Sequence, residues 1–257
     1  EAGQPEMGHL VVSLVFGSVY VVIWFWIFAV IRERGRHFDE SKTPLFQALR
    51  FTLRNRSARL LLGVYLLAFL AVDVLTAATK YFFDEYIRRP ELMPVIMGSM
   101  LGCATLSLPG YFYLVRRFDR RTSYLIGAVI WAIGLLGLFV IPQDSSTTVI
   151  VGVMIIIGFG IGAAFVAPWS MVPEVIDVEL VCTGRSEEGV YTGIMTFLRK
   201  ATTSLALFSI ATSLEIFGYV PPDQLDGGSQ SPGAMTTIRV FSTLVPAVLV
   251  ILSMVVT

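Results

Sequence analysis

The sequence predicts an all-α polytopic membrane protein, a bundle of seven transmembrane helices. Hydrophobic residues make up 55% of its 257 residues and charged residues only 15%, and the mean hydropathy is +0.73. A soluble domain of this length is far less apolar. A helix needs roughly 20 residues to cross the hydrocarbon core of a bilayer. The stretches long and apolar enough to do so are 10–31, 60–79, 92–115, 122–141, 145–172, 189–214 and 240–257.

The basic residues of the connections predict the orientation of the chain. Thirteen of the 19 Lys and Arg residues fall in connections 32–59, 116–121 and 173–188, and four fall in the connections on the other side. Lys and Arg concentrate in cytoplasmic loops, so we expect the N-terminus outside and the C-terminus in the cytoplasm. The formal net charge is zero, which gives no indication of a nucleic-acid partner.

The chain divides into three predicted parts: a first transmembrane helix at 1–31, a cytoplasmic linker at 32–59 and a six-helix bundle at 60–257. Within the linker, Leu45, Leu49 and Leu53 recur every four residues. This spacing predicts an amphipathic helix over 45–56 that lies at the membrane surface. Because the chain begins at Glu1 rather than Met and ends within an apolar run, we expect it to be a fragment of a longer protein.

A glycine-rich run, GFGIG at 158–162, lies inside the fifth apolar stretch. It superficially resembles a dinucleotide-binding fingerprint, but no strand precedes it. Small residues allow helices to approach each other closely. We therefore expect the run to be a helix-packing surface.

The sixth stretch carries a basic pair, Arg199 and Lys200, well inside its length. At helical spacing Thr192, Thr196, Lys200 and Ser204 fall near one face, and Lys200 lies close to the middle of the membrane. A charged group at this depth is a candidate functional residue, since it needs an anion, a polar substrate or water beside it. We predict that Lys200 and Thr196 contribute to substrate binding.

Two interpretations of the buried acid Asp73 stay open at this point. It is the only acid deep inside an apolar stretch, so it either pairs with a buried cation, Lys200 being one candidate, or lines the substrate pathway. Arg199 points about 100° away from Lys200 around the helix, which favours an interhelical contact. Phe165 and Trp169, in the fifth stretch, offer aromatic faces to a sugar ring or an acyl chain, or they pack ordinarily at the membrane interface.

Opposite charges in two cytoplasmic connections suggest a gate. The connection at 173–188 holds more acids than bases, and the connection at 116–121 is strongly basic. Ion pairs that form in one conformation and break in another would bias such a gate; the alternative is a solvated loop without a gating role. The predicted gate residues are Glu174, Asp177, Arg185, Arg116, Arg117, Arg120 and Arg121.

No grouping in the sequence indicates an enzyme or a metal site. There is no Ser/His/Asp grouping, no metal-ligand spacing and no phosphate-binding GxxxxGK loop. The two cysteines, Cys103 and Cys182, have no CxxC spacing and are interpreted as free thiols. We expect neither catalysis nor a bound cofactor.

Several motifs together resemble those of the glycoside-pentoside-hexuronide:cation symporters, a branch of the major facilitator superfamily. They are PEVID, TGRSEEG and TFLRK in the run from 165 to 219, the basic GYFYLVRRFDRRTSY segment and the linker TPLFQALRFTLRNRSARLLL. The resemblance covers the whole chain. It implies that the seven stretches correspond to helices 6–12 of such a transporter, with an N-terminal half of the same protein as partner.

The resemblance also implies roles for individual residues. Lys200 matches the membrane lysine of the substrate and cation site, Thr196 matches the hydroxyl position one turn earlier, and Glu174 and Asp177 match the acidic gate motif. The sequence departs from the family pattern at Glu174, where Asp is usual, at Ser186, where Arg commonly stands, and at Asp119, where Gly often stands. Arg185 would then replace the missing arginine, shifted by one residue.

The function that this resemblance implies is cation-coupled symport of a sugar or glycoside by alternating access. Na⁺ or H⁺ is the expected coupling cation, with its site mostly in the N-terminal half. The alternative substrate is a lysophospholipid or another amphiphile. An alternative of another class is a non-transporting membrane scaffold. We expect the protein in the plasma membrane, or in the inner membrane if it is bacterial.

Overall fold

A computed structural model of the protein describes residues 4–30, 53–183, 188–221 and 230–257. Contacts divide the chain into two units, Glu1–Lys42 and Thr43–Thr257, and each is described by itself. The described part of the first unit is one helix, α1, Gln4–Val30. Most of the linker 32–59, including most of the amphipathic segment 45–56, lies outside the described residues.

The second unit is helical throughout its described residues. A π-helical turn, Phe82–Tyr86, and a 3₁₀ turn, Pro90–Leu92, connect its first two long helices. The α-helices are α2, Arg56–Tyr81; α3, Met93–Arg117; α4, Arg120–Val140; α5, Thr147–Thr183; α6, Glu188–Ile216; α7, Pro232–Ser242; and α8, Leu244–Val256.

Short polar side chains begin several of these helices. The Asn55 side chain accepts a hydrogen bond from the backbone N–H of Ser57 at the start of α2. Ser231 caps α7 in the same way by accepting from the backbone N–H of Ala234. Such caps satisfy N–H groups that have no partner within the helix.

Six described helical segments are long and apolar enough to cross a membrane: Leu10–Val30, Arg56–Tyr86, Pro90–Arg117, Arg120–Val140, Thr147–Val178 and Pro232–Val256. The remaining predicted span is the 29-residue helix α6. It is long enough to cross, but Arg199, Lys200 and its many Ser and Thr residues make it too polar to be recognised by hydropathy. The predicted all-α, polytopic architecture is confirmed.

The glycine run at 158–162 brings α5 into close contact with two neighbouring helices. A Cβ atom at Gly160 would lie 2.5 Å from the backbone nitrogen of Trp131 in α4. A Cβ atom at Gly158 would lie 3.1 Å from the backbone carbonyl carbon of Met100 in α3. The largest interfaces in the second unit are those of α5 with α4 and α3. The predicted packing role of the run is therefore confirmed.

Replacement of Gly160 by alanine is expected to lower the free energy of unfolding by about 1–3 kcal/mol. The added methyl group meets backbone atoms of Trp131, which a side-chain rotation cannot move away, so the helices must separate. Thermal unfolding in detergent measures the effect. Gly102→Ala is the matched control, because a Cβ atom at that position meets nothing within 4 Å. Equal unfolding temperatures for the two variants would contradict the prediction.

Two helix boundaries differ from the predicted ones. Helix α5 continues to Thr183, so the PEVID segment that we predicted to be a loop is helical. Val172, Val175 and Ile176 are buried there in a cluster with Leu61 and Tyr65 of α2. Their i, i+3, i+4 spacing is the signal that places them on one helix face.

The last span begins at Pro232 rather than at residue 240. Arg239 therefore lies inside this span. Its guanidinium is accommodated there by packing on the rings of Phe139 and Tyr86 and by donating hydrogen bonds to the Phe139 carbonyl. The span is interrupted at Thr243, between α7 and α8. Pro246 lacks the N–H that would otherwise reach the carbonyl of Ser242, which accounts for the break.

Candidate functional site

The central polar contact of the bundle joins α2 to α6. Arg199 Nη1 donates to Asp73 Oδ2 at 2.5 Å. The Asp73 side chain is only 9% exposed, and the Arg199 side chain is 37% exposed. The interpretation of Arg199 as an interhelical contact is thus confirmed. The alternative in which Lys200 pairs with Asp73 is wrong, since Asp73 meets the neighbouring cation.

Two threonine hydroxyls complete this contact. Thr202 Oγ1 and Thr203 Oγ1 each lie 3.0 Å from Asp73 Oδ2, and Arg199 Nη1 also donates to Thr203 Oγ1 at 3.0 Å. The carboxylate oxygen therefore has three donors within hydrogen-bond distance. A buried charge that is paired and hydrogen-bonded in this way avoids most of the penalty of leaving water. The predicted role of Asp73 in substrate binding stays a prediction.

One aromatic ring, that of Phe69, contacts the arginine and belongs to a group of four rings from α2 and α5. The Arg199 Cζ atom lies 4.9 Å from the centre of the Phe69 ring, within range of a cation–π interaction. Phe69 contacts Phe165 edge-to-face at 5.5 Å, and Tyr65 contacts Trp169 edge-to-face at 5.8 Å. Phe165 and Trp169 are 39% and 43% exposed. Phe165 is thus positioned by Phe69 and is partly exposed.

Lys200 lies on a different face of α6 from the ion pair. Thr192, Thr196, Lys200 and Ser204 are all exposed, as their spacing predicts. Thr196 Oγ1 donates to the carbonyl of Thr192 at 2.8 Å, and Ser204 Oγ donates to the carbonyl of Lys200 at 3.1 Å. Lys200 forms no ion pair with any described residue. These four residues, which we call the polar stripe, place one uncompensated cation beside hydroxyl groups.

The basic connection between α3 and α4 contacts the acidic segment of α5. Arg120 Nη1 forms an ion pair with Glu174 Oε1, which brings together one predicted gate pair. Arg116, Arg117, Arg121 and Asp177 are exposed and form no ion pair with the described residues. Arg185 lies outside the described residues. The gating role of the whole set stays a prediction.

Asp119 has a structural function in this connection. It is the N-cap of α4 and accepts a hydrogen bond from the backbone N–H of Thr122 at 2.5 Å. Hydrogen bonds from the side chain and backbone of Thr122 lower the pKa of Asp119. The stabilisation from this charged cap is therefore fully present at pH values above the pKa of Asp119 in the unfolded chain. It is lost as the pH falls through the lower pKa that Asp119 has in the folded protein. A glycine at this position would provide no such cap.

A cavity of about 590 Å³ opens next to the Arg120–Glu174 pair. Its walls combine this pair with Ser57 of α2, Val115 of α3 and Met171 of α5. Val256 of α8 completes the lining, so five helices meet around the cavity, and a change in the ion pair alters one of its walls.

The Arg120–Glu174 pair is expected to contribute little to stability. The Glu174 side chain is 60% exposed, and exposed ion pairs contribute about 0–1 kcal/mol. Glu174→Gln should therefore lower the free energy of unfolding by at most about 1 kcal/mol, as measured by thermal unfolding. Glu91→Gln, at an exposed position on the other side of the bundle, is the control. A loss well above that of the control would show that the pair is a structural clamp.

Sequence reasoning missed Phe69, Thr202 and Thr203. Each had a recognisable signal, since Phe69 precedes Asp73 by four residues and Thr202 and Thr203 follow Arg199 by three and four. Residues at that spacing lie side by side on a helix. The described residues contain no group of three or more His, Cys, Asp or Glu side chains that could hold a metal ion.

Comparisons with known proteins give a consistent result. The family model described as MFS/sugar transport protein matches residues 2–257. A putative sulfoquinovose importer of Salmonella typhimurium is 29% identical over 85% of this chain and 46% of its own length. A sodium-dependent lysophosphatidylcholine symporter 1 of Gallus gallus is 26% identical over 96% of this chain and 46% of its own length. An uncharacterized symporter of Synechocystis is 28% identical over 69% of this chain and 32% of its own length.

The chain spans about half the length or less of these curated relatives. By name, these three relatives are symporters or an importer, one for sulfoquinovose by putative assignment and one for lysophosphatidylcholine. The resemblance drawn from the sequence motifs is confirmed, as is a multi-pass protein of the membrane.

Proposed function

Because the chain belongs to the MFS/sugar transport protein family, we propose that the full-length protein is a secondary active transporter for a sugar or glycoside. It carries the substrate together with Na⁺ or H⁺ by alternating access. The described bundle is one half of the carrier, and an N-terminal half supplies the other wall of the substrate site and most of the cation site. In such carriers the substrate is held near the midplane, between the two halves.

The observation that carries the proposal is the polar stripe of α6. The charge of Arg199 is compensated by Asp73, whereas that of Lys200 is not compensated by any described residue. A lysine at membrane depth that keeps hydroxyl neighbours and stays exposed is suited to a polar or anionic ligand in a wet cavity. Hydroxyl-rich substrates also match the hydrogen-bonding capacity of Thr192, Thr196 and Ser204.

Uptake measurements on the full-length protein in lipid vesicles test this function. Radiolabelled sugars and glycosides, including a sulfonated sugar, are offered with an inward Na⁺ gradient, with an inward H⁺ gradient, and with both gradients collapsed by ionophores. We expect concentrative uptake of at least one of these substrates with one of the gradients. Uptake equal to that of protein-free vesicles for every substrate and gradient would contradict the proposal.

A second candidate function is symport of a lysophospholipid or another amphiphile. It is favoured by the match to a lysophosphatidylcholine symporter over 96% of this chain and by the exposure of the aromatic side chains of Phe165 and Trp169. Radiolabelled lysophosphatidylcholine in the same vesicles distinguishes the two candidates. Gradient-dependent uptake of this lipid without uptake of any sugar would replace the first candidate by the second.

A further inference from the structure

We infer that the cavity beside the Arg120–Glu174 pair binds a single-chain anionic amphiphile, of which a fatty-acid carboxylate is the simplest example. We call this space the gate cavity. Its volume of about 590 Å³ lies within the range of about 300–1,000 Å³ that is typical of ligand pockets. Its described lining belongs to five helices of a single unit. The inference goes beyond transport and does not depend on which substrate is carried.

Part of the lining of the gate cavity is apolar. Leu61 and Val64 of α2 and Val175 of α5 line the cavity and are buried. Met171 of α5 and Val256 of α8 add further hydrocarbon surface. These side chains offer no hydrogen bond, so a ligand gains there by burying its own hydrocarbon groups.

The polar part of the lining contains hydrogen-bond donors that have no acceptor. Arg120 and Arg121 both line the cavity. The Nε atom of Arg120 is buried and has no hydrogen-bond partner among the described residues. Arg121 is exposed and forms no ion pair with them. Because buried donors are nearly always paired in folded proteins, the Nε atom of Arg120 points to an acceptor that a ligand supplies.

The two acids of the lining are already engaged. Asp119 accepts a hydrogen bond from the backbone N–H of Thr122, and Glu174 pairs with Arg120. What remains free is the donor capacity of the two arginines, which suits a carboxylate because it accepts hydrogen bonds and carries the opposite charge. A carboxylate joined to a hydrocarbon chain matches both parts of the lining, and this commits the cavity to an anionic amphiphile.

Occupation of the gate cavity has a consequence for the predicted gate. A ligand carboxylate that accepts a hydrogen bond from Arg120 competes with Glu174 for the same guanidinium, and two adjacent carboxylates repel each other. The Glu174 side chain is 60% exposed, so water can solvate it once it leaves the pair. The amphiphile therefore favours the arrangement in which the Arg120–Glu174 pair is broken. This consequence rests on the gating role of the pair, whereas the binding site does not.

Binding of radiolabelled dodecanoate to the full-length protein in phosphatidylcholine nanodiscs tests the site, with empty nanodiscs as the background. We expect saturable binding that Arg120→Gln weakens about tenfold, the lower limit for a hydrogen bond between charged groups. Arg121→Gln, which leaves the ion pair intact, should also weaken it. Arg117→Gln is the matched control, because it removes the same charge from an exposed position of the same connection that is not among the described lining residues.

Competition with Glu174 predicts an effect of the opposite sign. Glu174→Gln removes the repulsion and frees Arg120, so we expect dodecanoate to bind up to about fivefold more tightly. Glu91→Gln, at an exposed position on the other side of the bundle, should leave the affinity unchanged. The sign is informative because a pair that merely supported the shape of the cavity would weaken binding when either partner was replaced.

The apolar part of the site is tested by the length of the ligand chain. From butanoate to dodecanoate, we expect the affinity to rise about two- to fourfold for each added methylene group until the apolar part of the cavity is filled. Dodecanol has the same chain without the charge. It should bind equally to the unmodified protein and to Arg120→Gln.

Three results would overturn the inference. The first is equal dodecanoate binding by Arg120→Gln and Arg117→Gln, and the second is a Glu174→Gln variant that binds as weakly as Arg120→Gln. The third is loss of dodecanoate binding when the nanodiscs contain phosphatidylglycerol, which would assign the cavity to a membrane phospholipid. All three readouts are independent of uptake, so failure of the proposed transport function would leave them unaffected.

Discussion

Replacement of Asp73 by leucine is expected to lower the free energy of unfolding by about 3 kcal/mol. The variant leaves the guanidinium of Arg199 without its carboxylate partner and leaves the hydroxyls of Thr202 and Thr203 with only the carbonyl of Arg199 as acceptor. Breaking a buried ion pair by removing one partner costs about 3–5 kcal/mol. The Arg199 side chain is 37% exposed, so water partly compensates it and we expect the lower end of that range.

Thermal unfolding of the purified full-length protein measures this effect. Asp144→Asn, at an exposed position outside the spans, is the control for removal of a carboxylate. The double variant Asp73→Leu/Arg199→Met should recover most of the loss, because an apolar pair avoids the uncompensated charge. Additive losses in the double variant would show that the two side chains act independently, and the coupling between α2 and α6 would then lie elsewhere.

Replacement of Lys200 by alanine is expected to reduce substrate uptake by about 10- to 100-fold while changing stability by less than about 0.5 kcal/mol. A hydrogen bond from a charged donor contributes about 1.5–3 kcal/mol, and each 1.4 kcal/mol corresponds to a factor of ten. Lys200 is exposed and forms no ion pair with the described residues. Its removal therefore leaves no buried group without a partner, and surface substitutions of that kind have small effects on stability.

Initial rates of gradient-driven uptake and thermal unfolding are measured on the same preparations. Lys80→Ala is the matched control, since Lys80 is also exposed but lies in the last turn of α2, away from the polar stripe. Unchanged uptake in Lys200→Ala would remove this residue from the transport mechanism. A parallel loss of uptake and of unfolding temperature would assign it an architectural role instead.

The Asp73 and Lys200 predictions differ because the structure gives two neighbouring cations different environments. Arg199 and Lys200 have the same charge and nearly the same depth, and the sequence offered Lys200 as a partner for Asp73. Successive residues on a helix point about 100° apart. Burial of Met195, Thr202 and Ala206 sets the rotation of α6 about its axis, and that rotation directs Arg199 towards α2 and Lys200 away from it.

In the predicted gate, too, the sequence predicts the kind of contact and the structure shows which residues make it. Opposite charges in two connections predicted that acids of the PEVID segment approach the arginines at 116–121, and the Arg120–Glu174 ion pair agrees with this. The sequence alone did not select Arg120 among four arginines. That choice depends on Glu174 being presented by a continuous helix, which forms because Val172, Val175 and Ile176 bury one face of α5.

The amino-acid sequence is enough to predict the all-α membrane architecture, the approximate position of each span, the polar stripe of α6 and the packing role of the glycine run. These features follow from composition and local periodicity, because a lipid environment requires long helices and because helical spacing places side chains on faces. Contacts between helices are visible only in the folded bundle, which sets the charges that meet and the aromatic ring that positions Phe165. Each of these depends on the rotation and separation of two helices, quantities that burial across the whole bundle sets and that no single stretch of sequence contains.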